Sequence, residues 1–406
     1  MNGYWRVSLF AMMLASAGLP IYIHLPRFAA VDLGLNLATV GAIVMGIRVF
    51  DFAQDPILGR IIDHWRGPRR RLAAIALGMM AVGFVLLFSV RPVIDARLWL
   101  IATLVLVFSG YSFGAILLYG DSAALAGSTN PKDQLRLATY REVGLIAGVI
   151  FAAVGPVVLS DGFRLFGWAL GALIILSYLA TRNLWDRPAT PPAPFDIRKL
   201  LAAGGGWLLL LAVVNSLPVA ITSTLFLFFV EDRLMLPDWS GGLLILFFAA
   251  SGLAIPIWSR LARHFGVRPI LLIAMLMSVA AFIGSALLDA GDAIPFAIIC
   301  VASGAAVGAE LVILPAVFAS LLGRAGTATG QSFGLWSFAT KLSLPLAALM
   351  VLPALDVVGF VPAGDNSDSA LDQLTLLYAV LPCALKIVAA VTLLIMPKHV
   401  TNPPLD

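Results

Sequence analysis

The sequence predicts an all-α integral membrane protein, with about twelve transmembrane helices arranged as two six-helix bundles. Three observations carry that expectation. Of 406 residues, 61% are hydrophobic and only 12% are charged, and the mean hydropathy is +0.98; a soluble domain carries about 25% charged residues. Apolar stretches near 20 residues, the length that crosses a bilayer, recur about twelve times. One proline-rich polar stretch divides them in the middle.

In order, the stretches run over 8–29, 37–62, 72–90, 98–124, 137–159, 164–182, 205–230, 241–259, 269–288, 293–320, 330–353 and 375–397. The first contains Ala15-Ser16-Ala17, a pattern also found at signal-peptide cleavage sites. The apolar run continues beyond it to Leu25, long enough to span, so a retained first helix is expected. After the sixth stretch comes Arg182 to Lys199, whose prolines make an extended tether. The expected domains are therefore 1–184, a cytoplasmic linker 185–204, and 205–406. Lys and Arg number sixteen in the N-terminus, even loops and C-terminus, against five in the odd loops. The positive-inside rule then places both termini in the cytoplasm, in a bacterial inner membrane.

The second stretch carries the most informative motif, Arg48-x-x-Asp51-x-x-x-Asp55-Pro56. Positions 48, 51 and 55 share one stripe of a helix, and each charge costs a few kcal/mol, ~2.5–3.5 on insertion scales, to place at the bilayer centre. Such a stripe must face water or partner charges, which makes it a candidate transport site. Two carboxylates about one turn apart can supply hard oxygen ligands to Na⁺, or share a proton. Asp121 follows Tyr119-Gly120 late in the fourth stretch. Arg141 and Glu142 open the fifth, where they either line the cavity or reach the cytoplasmic interface. Glu310 lies on the small-residue surface Gly304-Ala-Ala-Val-Gly308 of the tenth, a surface that lets helices approach closely; it either lines the cavity, the preferred reading, or hydrogen-bonds across helices. Lys341 sits near the centre of the eleventh, and Lys386 in the twelfth is expected to be structural. Together these give four positive and five negative charges, an excess of one carboxylate that a bound Na⁺ or H⁺ would neutralise.

The halves also echo each other at an offset of 200. Pro56-Ile57-x-x-Arg60-x-x-x-His64-Trp65 aligns with Pro256-Ile257-x-x-Arg260-x-x-x-His264-Phe265. Parallel repeats of this kind build the two halves of major facilitator transporters, so the expected architecture is the major facilitator fold. Where the first copy has Arg48, Asp51 and Asp55, the second has Phe248, Ser251 and Ile255. The scaffold repeats and the charges do not.

These motifs resemble the glycoside-pentoside-hexuronide:cation symporters, the melibiose-permease-like branch of the major facilitator superfamily, over most of the chain. The resemblance rests on Arg48-x-x-Asp51-x-x-x-Asp55-Pro56-x-x-Gly59 with the loop Arg69-Arg70-Arg71, and on Gln134 to Glu142. It also rests on Gly308-Ala-Glu310-Leu and on Gly330-Gln-Ser-Phe-Gly-Leu-Trp336-x-x-x-Thr340-Lys341. It implies cation ligation by Asp51 and Asp55. It implies substrate-binding or coupling roles for Arg48, Asp121, Arg141, Glu310, Trp336, Thr340 and Lys341, and gating roles at the cytoplasmic loops for Gly59, Arg60, Asp63 and Arg260. Departures fall where sugar should bind: the first stretch has no acid before Asp32, and Asp121 comes about a turn late. Tyr22, Trp207 and Trp336 are the aromatics available to stack a sugar ring.

The expected function is secondary active transport by alternating access: a Na⁺- or H⁺-coupled symporter of a small solute such as a sugar or glycoside. A proton-coupled exporter of an amphipathic compound is the alternative. No cofactor is expected beyond the coupling Na⁺ or H⁺. The partners are a small-molecule substrate and membrane lipid, with a monomeric chain. A net charge of +4 with basic residues scattered through short loops points away from nucleic acid. An enzyme would need a nucleophile–base or metal constellation, and His24, His64, His264 and His399 form no metal-like pair; a non-transporting sensor is the remote remaining class. Cys300 and Cys383 fall in apolar runs and are expected as buried free thiols.

Overall fold

The computed structural model describes residues 3–16, 25, 28–29, 32–158, 162–186, 194–362 and 364–401. Twelve principal helices follow one another: α1 (Tyr4–Ala15), α2 (Leu37–His64), α3 (Arg69–Ser89), α4 (Ala96–Gly120), α5 (Pro131–Val158) and α6 (Gly162–Thr181). Then come α7 (Gly205–Phe228), α8 (Ser240–Phe265), α9 (Val267–Phe282), α10 (Ala293–Ala325), α11 (Thr329–Val357) and α12 (Asp368–Ile395). Nine of them, α3, α4 and α6 to α12, are long and apolar enough to cross a membrane by length and composition, among the described residues. The expected stretches 8–29, 37–62 and 137–159 correspond to α1, α2 and α5; the first and third include positions outside the described residues. Ala17, Tyr22 and His24 of the first stretch and Arg187 of the expected linker also lie outside them.

Helix starts follow local chemistry. The Asn36 side chain accepts the Thr39 N–H at 2.8 Å and caps α2; Asp95 accepts from Arg97 and Leu98 and caps α4. Ser367 does the same for α12 through Ala370 N–H.

The chain forms two compact units. The first is Met1–Ile197 with Leu322–Phe338; the second is Arg198–Leu321 with Ala339–Asp406. The division between Ile197 and Arg198 falls inside the expected linker interval 185–204. The segment Leu322–Phe338, which the sequence reading puts in 205–406, groups with the first unit instead. Its glycines allow a backbone-to-backbone approach to α2 described below.

In the first unit α3 packs against α4 and α6, and α1 against α5. Gly144 and Gly148 of α5 lie directly on the backbone of Ser8 and Met12 of α1, so two helices meet without intervening side chains. In the second unit, Gly304 and Gly308 of α10 take the same approach to Phe247 and Ser251 of α8. There α12 packs on α7 and α9, and the Phe229 and Tyr378 rings stack at 4.1 Å within a core that includes Phe296. Cys300 and Cys383 are buried free thiols.

Candidate functional site

Helix α2 places its polar stripe against α4. Asp51 and Gln54 are 8% exposed and Asp55 is fully buried, while Arg48 is half-buried on the same helix. Ser112 Oγ of α4 donates to Asp51 Oδ1 at 2.7 Å, and Gln54 Nε2 donates to the same oxygen at 3.2 Å. Gln54 Oε1 in turn accepts from Ser109 Oγ at 2.8 Å. Two helices thus hold one carboxylate in a fixed orientation. Buried polar groups of this kind carry a high cost when unmet, and the Ser112 and Gln54 bonds meet it at Asp51 Oδ1. The sequence reading did not select Gln54, Ser109 or Ser112. Gln54 could have been found at i+3 from Asp51; the serines gave no signal, because a helical hydroxyl readily satisfies itself on its own backbone.

One further stripe of α2, at 55, 59 and 63, meets the start of α11. Gly59 lies on the backbone of Gly330, and a Cβ at Gly334 would lie 2.6 Å from the Asp55 carbonyl oxygen. Asp63 accepts the Gly330 N–H at 2.9 Å on Oδ1 and the Gln331 N–H at 2.6 Å on Oδ2. These are orphan donors of a helix N-terminus, where a carboxylate is favoured. Burial nevertheless pushes the Asp63 carboxyl above its ordinary value of 3.8; the two N–H bonds, Arg69 and His64 offset this only in part. Gly59 and Asp63, expected as gating residues, are therefore brought together on one seam. Arg60 and its repeat counterpart Arg260 are exposed.

Arg141 and Glu142 are buried, at 1% and 3% exposure, which decides against the interface reading. Arg141 Nε donates to Glu142 Oε1 at 2.8 Å, and Tyr119 Oη donates to the same oxygen at 2.9 Å. The guanidinium lies 3.7 Å from the Tyr119 ring centroid, a stacking that suits its flat, weakly hydrated face. Nη2 of Arg141 is buried with no hydrogen bond to the described residues. Asp121 directly follows Gly120, the last residue of α4, and lies 3.6 Å from Arg69 at the start of α3.

Glu310 takes one of its two expected settings, hydrogen bonds across helices: in the second unit, Lys386 Nζ donates to both of its oxygens at 3.0 and 2.8 Å. Asn215 closes the group, accepting from Lys386 at 2.9 Å and donating to Glu310 at 2.9 Å. Burial at about 4% exposure for both charged side chains demands such pairing. Lys386 has the structural partner expected for it. Trp336 lies in the first unit and is buried; Thr340 and Lys341 lie in the second and are half-buried, as is Trp207. Two of the intramembrane pairs, Arg141–Glu142 and Lys386–Glu310, are locally neutral. The stripe on α2 carries one guanidinium, Arg48, and two carboxylates, Asp51 and Asp55.

Comparison with known proteins gives a consistent picture. The sequence pattern of a family described as MFS/sugar transport protein matches residues 6–397. The chain is 23% identical over 397 residues to a Bacillus subtilis (strain 168) protein named uncharacterized symporter YjmB, covering 89% of this chain and 85% of that one. It is 22% identical over 409 residues to a putative sulfoquinovose importer of Escherichia coli (strain K12), covering 91% and 85%. Among solved structures, a bacterial homologue of the iron transporter ferroportin in its outward-facing state superposes with a TM-score of 0.73 at 14% identity, over 97% of this chain and 99% of that one. At that identity the likeness is one of fold alone.

Proposed function

The chain belongs to the MFS/sugar transport protein family, a family of multi-pass membrane transporters and not of enzymes, and on that premise we propose that it is a cation-coupled symporter of a small solute such as a sugar or glycoside. The observation that carries the reading is the buried Asp51–Asp55 pair, with Ser112 and Gln54 fixing Asp51. Carboxylate, amide and hydroxyl oxygens are hard donors, the kind Na⁺ accepts, and two close carboxylates equally well share a proton. Cation loading removes the mutual repulsion of the two carboxylates. A neutral cavity closes around solute at lower cost than a charged one, and that difference between loaded and empty states is the coupling.

The remaining roles follow from the same reading. Arg141, held by Glu142 and stacked on Tyr119, keeps one donor nitrogen for a solute oxygen. Trp336, Thr340 and Lys341 are assigned to solute and coupling. The α2–α11 seam at Gly59 and Asp63 serves as a contact that alternating access makes and breaks, and Arg60 and Arg260, each near a loop of its own unit, are assigned to gating. The motifs and the symporter-named relative support placement in the glycoside-pentoside-hexuronide:cation branch. The sixteen-to-five distribution of basic residues supports cytoplasmic termini in a bacterial inner membrane, with a monomer as the working unit.

The test is transport in proteoliposomes with an imposed Na⁺ or H⁺ gradient. Asp55→Asn is expected to lose uphill accumulation while retaining wild-type thermal stability; undiminished accumulation would overturn the assignment. The first helix has no acid before Asp32, which favours one second reading, proton-coupled export of an amphipathic compound. Substrate efflux that accelerates with an inward proton gradient, in the absence of sugar-stimulated Na⁺ entry, would select it.

A further inference from the structure

Three helices of the second unit leave α geometry at one end of that unit. α7 runs into a π turn, Phe229–Arg233, where the Leu234 N–H donates to the Phe229 carbonyl at 2.9 Å. α12 contains a second π turn, Leu376–Val380, closed by the Leu381 N–H on the Leu376 carbonyl. α9 ends in a 3₁₀ turn, Ile283–Leu287, packed on the π turn of α12. A π turn is rare and holds one residue more than the α turn it replaces. Here two of them face each other. Phe229, the first residue of one, stacks on Tyr378, the middle residue of the other, at 4.1 Å with 12° between the ring planes.

Arg233 ties the two turns together. Its Nε donates to Oγ1 of Thr375, the residue directly before the α12 turn, at 3.3 Å, and its Nη2 to Asp289 Oδ1 at 3.1 Å in the loop before α10. Thr375 Oγ1 gives its own proton to the Leu371 carbonyl at 2.9 Å, which leaves its lone pairs for the guanidinium. Deeper in the unit, Lys386 of α12 binds Asn215 of α7 and Glu310 of α10, so the inner parts of the same helices are pinned. Pro382 lies two residues past the α12 turn and has no N–H; the turn can change register there without giving up a hydrogen bond. Tyr378 also packs on Phe282 at 5.3 Å. Phe282 and Cys383 line a space of about 40 Å³, room for water and nothing larger.

We propose that the two π turns form a paired register switch, held closed by Arg233, whose release turns the outer ends of α7 and α12 and uncovers Cys383. When the Phe229 carbonyl passes from the Leu234 N–H to the Arg233 N–H, the turn becomes α. The chain beyond it then rotates by about 100°, the step of one residue. The ring stack cannot stay aligned through that rotation unless the α12 turn shifts too. The switch lies wholly within the second unit and stands whichever cation or solute is carried.

The experiment is modification of Cys383 by methyl methanethiolsulfonate in the full-length Cys300→Ala protein, with peptide-level hydrogen exchange on the same samples. Arg233→Gln is expected to speed modification about tenfold, the worth of one hydrogen bond to a charged group at its lower limit. Thr375→Val should act in the same direction. Asp289→Asn should change the rate less than twofold, because the Asp289 side chain is 84% exposed. With Arg233→Gln, exchange should rise over 229–236 and 374–382 together and keep its wild-type level over 303–316 of α10. An unchanged modification rate, exchange that rises in one turn alone, or a rise spread equally over α10 overturns the switch. So does an Asp289→Asn effect as large as that of Arg233→Gln, which would put the clasp outside the turns. Should Arg233→Gln not fold, Thr375→Val carries both measurements.

Discussion

Lys386→Met would leave the Glu310 carboxylate buried with only the Asn215 amide, 2.9 Å away, as donor. Glu310→Gln would leave Lys386 with neutral acceptors alone, both Asn215 oxygens and the new amide oxygen, and no counter-charge. Both charged side chains are about 4% exposed, so water cannot make up the loss. Removing one member of a buried pair costs about 3–5 kcal/mol; the surviving Asn215 bonds put each single variant near ~3 kcal/mol. The two costs would sum to ~6 kcal/mol if the residues acted independently. The double variant holds no buried charge and keeps a Gln–Asn hydrogen bond, so its cost stays close to that of one single variant, leaving a coupling of ~3 kcal/mol. Tryptophan-fluorescence unfolding of all four proteins in the same detergent measures the cycle. Single-variant losses below ~1 kcal/mol, or a double variant that adds within ~0.5 kcal/mol, would refute the claim that the three helices are held by this pair.

Gly334→Ala should lower Tm and cut flux at least ~tenfold, since its Cβ would meet the Asp55 carbonyl backbone at 2.6 Å and overpacking costs ~1–3 kcal/mol. Gly41→Ala, with nothing within 4 Å of the added methyl, should leave both unchanged. Ser112→Ala should weaken the apparent affinity for the coupling cation roughly tenfold in a cation-dependence assay, because a hydrogen bond to a charged group is worth ~1.5–3 kcal/mol. Asp63 is a carboxyl whose folded value is raised, so the folded state holds its proton more tightly than the unfolded chain does. Its stabilising contribution is full below the ordinary value of 3.8 and is lost as pH rises through the raised one. Asp63→Asn should flatten that segment of the Tm–pH curve; an unchanged slope would mean the group titrates normally.

Hydropathy made the helices and the costly charges legible, because a charge inside a 20-residue apolar run stands out against its neighbours. It could not supply partners. Glu310 and Lys386 are separated by 76 positions, and one-dimensional patterning reports that each needs a partner without saying which. Pattern left Glu310 two settings, the cavity or hydrogen bonds across helices, and could not name Asn215 and Lys386 as its partners. The pairing of Asp121 with Arg69 was illegible for a different reason: the end of α4 at Gly120 and the reach of Arg69 are matters of backbone path. The stripe at 48, 51 and 55 survived the passage from pattern to structure, since helical periodicity alone fixes which residues share a face. The seam of Gly59 with Gly330 was invisible for the opposite reason, since a glycine carries no side chain to reveal what it touches.

Asp63 binds backbone groups 267 residues further along the chain, and this bears on how the protein can be cut. A fragment ending at Ile197 would carry α1 to α6 yet lack Leu322–Phe338, leaving the Asp63 oxygens and the groove over Gly59 uncovered. Halves made by cleavage at the linker should therefore recognise each other when co-expressed, with 322–338 acting as the latch of a split protein. A short peptide of that sequence should compete for the same berth.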